Sequence, residues 1–153
     1  MTRGRVMAAR RCRHRARRGD NGAMAALADI VFDCARPASL ARFWAAVLDG
    51  YEVAPYDDDE LAHLRSIGIT DVEDDPSVLV QRSADEGPRL WFQAVPEPKR
   101  VKNRVHLDLR SDDVDAEVDR LLGLGADVLA DQPNEDLIVL QDPEGNEFCL
   151  LRS

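Results

Sequence analysis

Hydrophobic and polar positions along this chain change period several times, and the changes come in the same order twice. Leu27–Cys34 alternates as a strand does. Pro37 then opens a stretch whose apolar residues Leu40, Phe43, Trp44, Val47 and Leu48 fall on one helical stripe, and proline suits a first helical position. Gly50 closes that helix, "YEVAP" reads as a short strand, and Asp57–Ser66 as a short acidic helix or loop. "SVLVQR" and "PRLWFQAV" follow as strands around the turn-rich "SADEG".

The second pass begins at "NRVHLDLR", Asn103–Arg110. Val105, Leu107 and Leu109 predict a buried face, and Arg104, His106, Asp108 and Arg110 a polar one, which either meets water or lines a site. Ser111 or Asp112 is expected to cap a helix carrying Val114, Val118, Leu121 and Leu122, stopped by Gly123 and Gly125. "ADVLA" reads as a strand, and "LIVLQ" with "EFCLLR" as a hairpin around "DPEGN". Asp33 stands 17 positions before Gly50, as Asp108 does before Gly125, while the helical stripes align better at a spacing of 74. That one-residue disagreement is placed at Asp49. Two βαβββ units, 27–95 and 102–153, therefore follow one another, and neither covers its sheet alone. The expectation is one α+β domain over 24–153.

Charge changes the picture at one end. Residues 1–23 carry eight arginines and one acid, leaving 12 of the 20 basic and 28 of the 29 acidic residues to the rest. A body so acidic is repelled by nucleic acid and by anionic lipid, and no run reaches the roughly 18 apolar residues of a membrane span. The basic start lacks the apolar core of a secretory signal, although it is as poor in acids as an organellar transit peptide. It reads as a disordered extension before a plausible start at Met24, with a nucleic-acid arm as the alternative. Three cysteines (12, 34 and 149) without CxxC spacing fit reduced thiols in a cytoplasm. No phosphate loop, dinucleotide fingerprint or nucleophile elbow is present.

The repeat, together with "FDCARPASLARFWAAVL", "VPEPKRVKNRVHLDL" and "DPEGNEFCL", resembles the vicinal oxygen chelate superfamily of glyoxalase I, bleomycin-resistance proteins and extradiol dioxygenases, and within it the glyoxalase-like proteins. The resemblance covers about 27–152. It implies that the two sheets curl into a half-barrel cup, that the polar face of "NRVHLDLR" looks into it, and that the chain is a homodimer. Metal-using members take one ligand from each of four strands. Carried over, that pattern places His106 at one position, Gln93 at another and Asp29 or Val31 at a third. The fourth falls on Cys149, with Glu147 two residues earlier on the same face. A site of His106, Gln93 and Glu147 would take zinc, nickel or manganese, and one containing Cys149 would favour zinc. The dioxygenase pattern needs two histidines and a carboxylate, and His14 and His63 lie outside the repeats' first strands.

Asp108 and Glu147 are the candidate acid–base groups. Asp33, Trp91, Gln93 and Cys149 are the candidate ligand contacts, Trp91 by stacking. For the two aspartates, capping a turn or pairing with an arginine is the structural alternative. "PEPKRVKN" reads as the connection between the repeats. The implied function is binding of a small organic molecule in the cup. The alternatives are a metal-dependent glyoxalase-type lyase or isomerase and a drug-sequestering protein of the resistance type.

Overall fold

The structure, a computed structural model, describes residues 25–82, 87–133 and 135–152. The arginine-rich start, the boundary at Met24 and most of the "SADEG" turn lie outside the described residues.

The architecture is α+β, as expected, in two βαβββ units. The first comprises β1 (Asp29–Cys34), α1 (Pro37–Val47), β2 (Tyr51–Val53), β3 (Ser77–Arg82) and β4 (Arg89–Ala94). An inserted helix, α2 (Asp58–Ser66), lies between β2 and β3. The second comprises β5 (Asp108–Arg110), α3 (Val114–Leu124), β6 (Asp127–Val128), β7 (Leu137–Gln141) and β8 (Glu147–Leu151). The two four-stranded sheets have matching orders, β1-β4-β3-β2 and β5-β8-β7-β6, each with one parallel pair (β1 with β4, β5 with β8). They are not closed into a barrel.

Aromatic packing joins the units. Trp44 and Phe43, on the buried stripe of α1, both meet Phe148 of β8 edge-on, with ring centroids 5.2 and 6.4 Å apart. Phe32 bridges from β1, stacked on Phe92 at 5.0 Å and tilted against Trp44 at 5.3 Å. The start of α1 has no side-chain cap of its own. Instead, Glu144 of the second unit accepts the N–H groups of Ala35 and Arg36 at 2.6 and 2.8 Å, a carboxylate where a helix dipole favours one. The other end of α1 is served by Arg120 of α3, whose guanidinium donates to the carbonyls of Ala46 and Val47.

Several boundaries differ from the sequence expectation. Asp113 caps α3, accepting the N–H of Ala116 at 3.1 Å, while Ser111 turns the preceding backbone by accepting from Asp113. Gly123 lies inside α3, and Gly125 alone ends it, at φ 102°. Val105 is 77% exposed and Leu122 43%. Only Asp108–Arg110 pair as a strand, because residues 103–106 run along the rim of a cavity instead of along β8.

The repeat register also shifts. One row of partners crosses the first sheet through Val53, Val80, Leu90 and Ile30. The corresponding row in the second runs Val128, Leu140, Phe148 and then Leu107, whose carbonyl accepts the N–H of Cys149. Ile30 thus matches Leu107, a spacing of 77 that also separates the starts of α1 and α3. Asp29 is therefore the counterpart of His106, Val31 of Asp108, and Trp91 of Cys149; Asp33 and Asp108 are not equivalent. The glycines misled because Pro37 to Val53 is 16 positions and Val114 to Val128 only 14, so the slack follows the helix and is two residues.

Candidate functional site

A cavity of about 650 Å³ lies where the units meet. Its first-unit wall is Ile30–Asp33 with Trp44, and its second-unit wall is His106, Leu107 and Asn146–Phe148. The connection between the units closes it, contributing Val95, Glu97, Pro98, Lys99 and Asn103–Val105. Sequence reasoning missed Asn103 and Asn146. Asn146 had one readable signal, its place after the turn glycine, since its amide is fixed on Asp142 of that same turn.

The strand geometry gathers three donors beside this cavity. His106 stands two residues before Asp108, the first residue of β5, and Cys149 is the partner of Asp108 across the ladder. Nδ1 of His106 lies 2.9 Å from Oδ1 of Asp108 and 3.8 Å from Sγ of Cys149. All three donor atoms fall within 4.8 Å of one another. The ring and the carboxylate are about half exposed, whereas Cys149 is buried. Burial pushes the Cys149 thiol up, and the neighbouring Asp108 charge adds to that.

The other expected site residues lie elsewhere. Glu147 lines the cavity, but its carboxylate is engaged, accepting from Lys99 Nζ and from the N–H of Asn103 at 3.0 Å. Desolvation opposes its charge, yet those two donors prevail and hold it below the usual glutamate value. Asp29 forms a two-pronged pair with Arg89 at 2.7 and 3.0 Å. Gln93 is exposed at the end of β4, opposite Asp33, on the other sheet from His106. Trp91, half-buried, borders a small hollow with Tyr56, Asp75 and Leu79 instead of the main cavity. Asp33 does line the cavity, and it is exposed there.

A family model described as a glyoxalase-like domain matches residues 29–151, from the first strand to the last. The chain belongs to the glyoxalase-like domain family. No curated protein matches it. Solved structures of the glyoxalase, bleomycin-resistance and vicinal oxygen chelate superfamily resemble its fold. The fosfomycin resistance protein FosX from Mesorhizobium loti is 16% identical with a TM-score of 0.58, the match covering 86% of this chain and 94% of that one. A point mutant of FosX from Listeria monocytogenes, in a complex with Mn(II) and 1S,2S-dihydroxypropylphosphonic acid, gives 13%, 0.60, 86% and 94%. A glyoxalase/bleomycin resistance protein/dioxygenase family enzyme from Burkholderia phytofirmans gives 18%, 0.55, 82% and 97%.

Donors for a divalent metal are unequally distributed between the units of this glyoxalase-like domain. A set drawn from both units fits poorly. In the first unit the counterpart of His106 is Asp29, held by Arg89, and the counterpart of Cys149 is Trp91, which offers no ligand atom. The second unit does fit. Its nitrogen, oxygen and sulfur atoms are the types a zinc-class ion takes.

Proposed function

We propose that this glyoxalase-like domain binds a small organic molecule in the cavity between its two units. The observation that carries the reading is the cavity itself. It is walled by both units, its volume suits a small ligand, and it sets apolar Ile30, Val31, Val105 and Leu107 beside Asp33, Asn103, His106 and Asn146. Asp33 and His106 are the polar contacts in this reading.

The test is a thermal-shift and calorimetric screen of metabolites and drug-like compounds on the wild-type chain and on Val105→Trp. Val105 is open to solvent, so the indole fills the cavity without disturbing the core. Ligands that bind the wild type and lose at least tenfold affinity in V105W support the reading. A screen without hits, or hits indifferent to V105W, would refute it.

A glyoxalase-type lyase or isomerase is the second reading, favoured by His106 of the cavity wall being held 2.9 Å from Asp108 beside it. A histidine so held is placed to move a proton of a bound substrate. Turnover of a hit ligand, lost in His106→Ala, separates it from simple sequestration. The proposal includes a homodimer in a cytoplasm. Leu27 and Val101, outside the cavity wall, are each more than half exposed, which supports a partner surface, and among the described residues no helix is long and apolar enough to cross a membrane.

A further inference from the structure

We infer that the molecule held in the cavity is an organic monocarboxylate with an apolar body, its carboxylate gripped by Arg104 at the rim. The inference rests on the cavity being the ligand site, and it adds the chemical class.

Charge along the chain is the first support. Residues 24–153 carry 12 basic and 28 acidic residues, yet four of those 12 fall within Lys99–Arg104, and no acid stands between Glu97 and Asp108. This strip forms the rim of the cavity, to which it contributes Lys99, Asn103 and Arg104. An acidic body repels an anion except where a local run of bases reverses the field.

The partners of each charge are the second support. Lys99 and Glu147 neutralise one another at 3.0 Å. Arg104 has no carboxylate partner among the described residues. Its Nε and Nη2 both donate to the Lys102 carbonyl, at 3.1 and 2.9 Å. That holds the guanidinium in place and leaves its Nη1–Nη2 edge open. Such an edge matches a carboxylate with two parallel hydrogen bonds. Asn103, next to it in the chain, also lines the cavity and adds an amide donor.

The other end of the cavity sets the limit of one carboxylate. Asp33 and Glu97 stand where the cavity runs on into an adjoining hollow of about 270 Å³, which Arg104 does not border. A second carboxylate there would meet two like charges, whereas a hydroxyl or amino group would find acceptors. Ile30, Val31, Phe32 and Leu107 make the rest of the wall apolar, which suits a hydrocarbon or aryl body.

The experiment is calorimetric titration of the full-length chain with matched probes. These are hexanoate, octanoate and hydrocinnamate, their primary amides, and the dicarboxylates adipate and suberate. Expected is a monocarboxylate that binds at least tenfold more tightly than its amide and than the dicarboxylate of its length. Arg104→Gln should abolish the advantage of acid over amide, and Val105→Trp should weaken the acid at least tenfold. Arg100→Gln, on the strip but outside the cavity wall, should change affinity less than threefold. Arg104 is exposed, so R104Q folds. Amides or dicarboxylates that bind as tightly as the monocarboxylates would overturn the inference, as would acid binding that R104Q leaves unchanged. In either case the cavity reading stands if those ligands still lose affinity in V105W. Neutral or amine ligands sensitive to V105W, with no monocarboxylate bound, would show that the class alone is wrong. Binding by no compound at all would overturn the cavity reading and this inference with it.

Discussion

Trp44 Nε1 donates to Asp142 Oδ2 at 3.2 Å, so the central side chain of the first unit's helix is tied to the β7–β8 turn of the second. Asp142 is 2% exposed, and it also accepts the N–H groups of Glu144 and Asn146 and the Asn146 amide. The same turn then presents Glu144 to the start of α1. One buried carboxylate thus organises a turn and docks a helix on it, fixing one unit against the other and with them the two cavity walls.

Trp44→Phe removes this bond together with part of a fully buried ring, so the bond's contribution is a lower bound on the loss. A hydrogen bond to a charged group contributes about 1.5–3 kcal/mol, and a loss of at least that size is expected in urea unfolding. A loss below about 0.5 kcal/mol would mean that the turn is held by its own backbone contacts.

Cys34 is buried at the end of β1, and its thiol is pushed up to about 12, first by burial and then by the charges of Glu144, Asp142 and Asp33. The thiolate is the reactive form. Cys34 should therefore resist maleimide at pH 8 in the folded chain and react on unfolding, as peptide mapping will show. The same shift has a sign for stability. The unfolded thiol gives up its proton near its ordinary value of 9.0, before the folded one does, so the contribution is whole below pH 9 and is lost as pH rises towards 12. Cys34→Ala should flatten that alkaline slope.

The arginine-rich segment has no apolar pattern with which to pack. A chain starting at Met24 is expected to melt within a few degrees of the full-length protein. A larger fall in differential scanning calorimetry would make the segment part of the domain.

The architecture was legible because it is written in periods. The stripe of α1 and the runs of β3, β7 and β8 appear where alternation and helical spacing predicted them. The register between the units was not legible, because glycines mark where helices end and not how long the following connections are. The site was half legible. His106 and Cys149 were found through a motif, and Asp108 through its place on the same strand face. What sequence cannot show is which carboxylates are already held. Glu147 and Asp29 look available in one dimension, and only the fold brings Lys99 and Arg89 to them. Val105 fails for a related reason. Alternation predicts a buried face only where a strand is covered, and the rim of a cavity covers nothing.

Glu147 provides the last prediction. Its carboxylate is the clasp that holds the connection between the units over β8, through Lys99 on one side and the Asn103 N–H on the other. Glu147→Gln keeps an acceptor for Asn103 but removes the charge that Lys99 meets. Both partners are largely shielded, with side-chain exposures of 12% and 24%, so the loss should exceed that of a surface pair, at about 1–2 kcal/mol. The wild-type advantage has a pH window. The folded carboxyl lies below its ordinary value of 4.5, so the stabilisation is present above that value and disappears as pH falls through the folded one. Wild type and E147Q should therefore differ at pH 7 and converge in acid. Hydrogen exchange at Asn103 should quicken in the variant, because the segment that walls the cavity is freer to open. Equal stability at pH 7 with unchanged exchange would show that the connection is held by other contacts, and Glu147 would then be available for chemistry in the cavity.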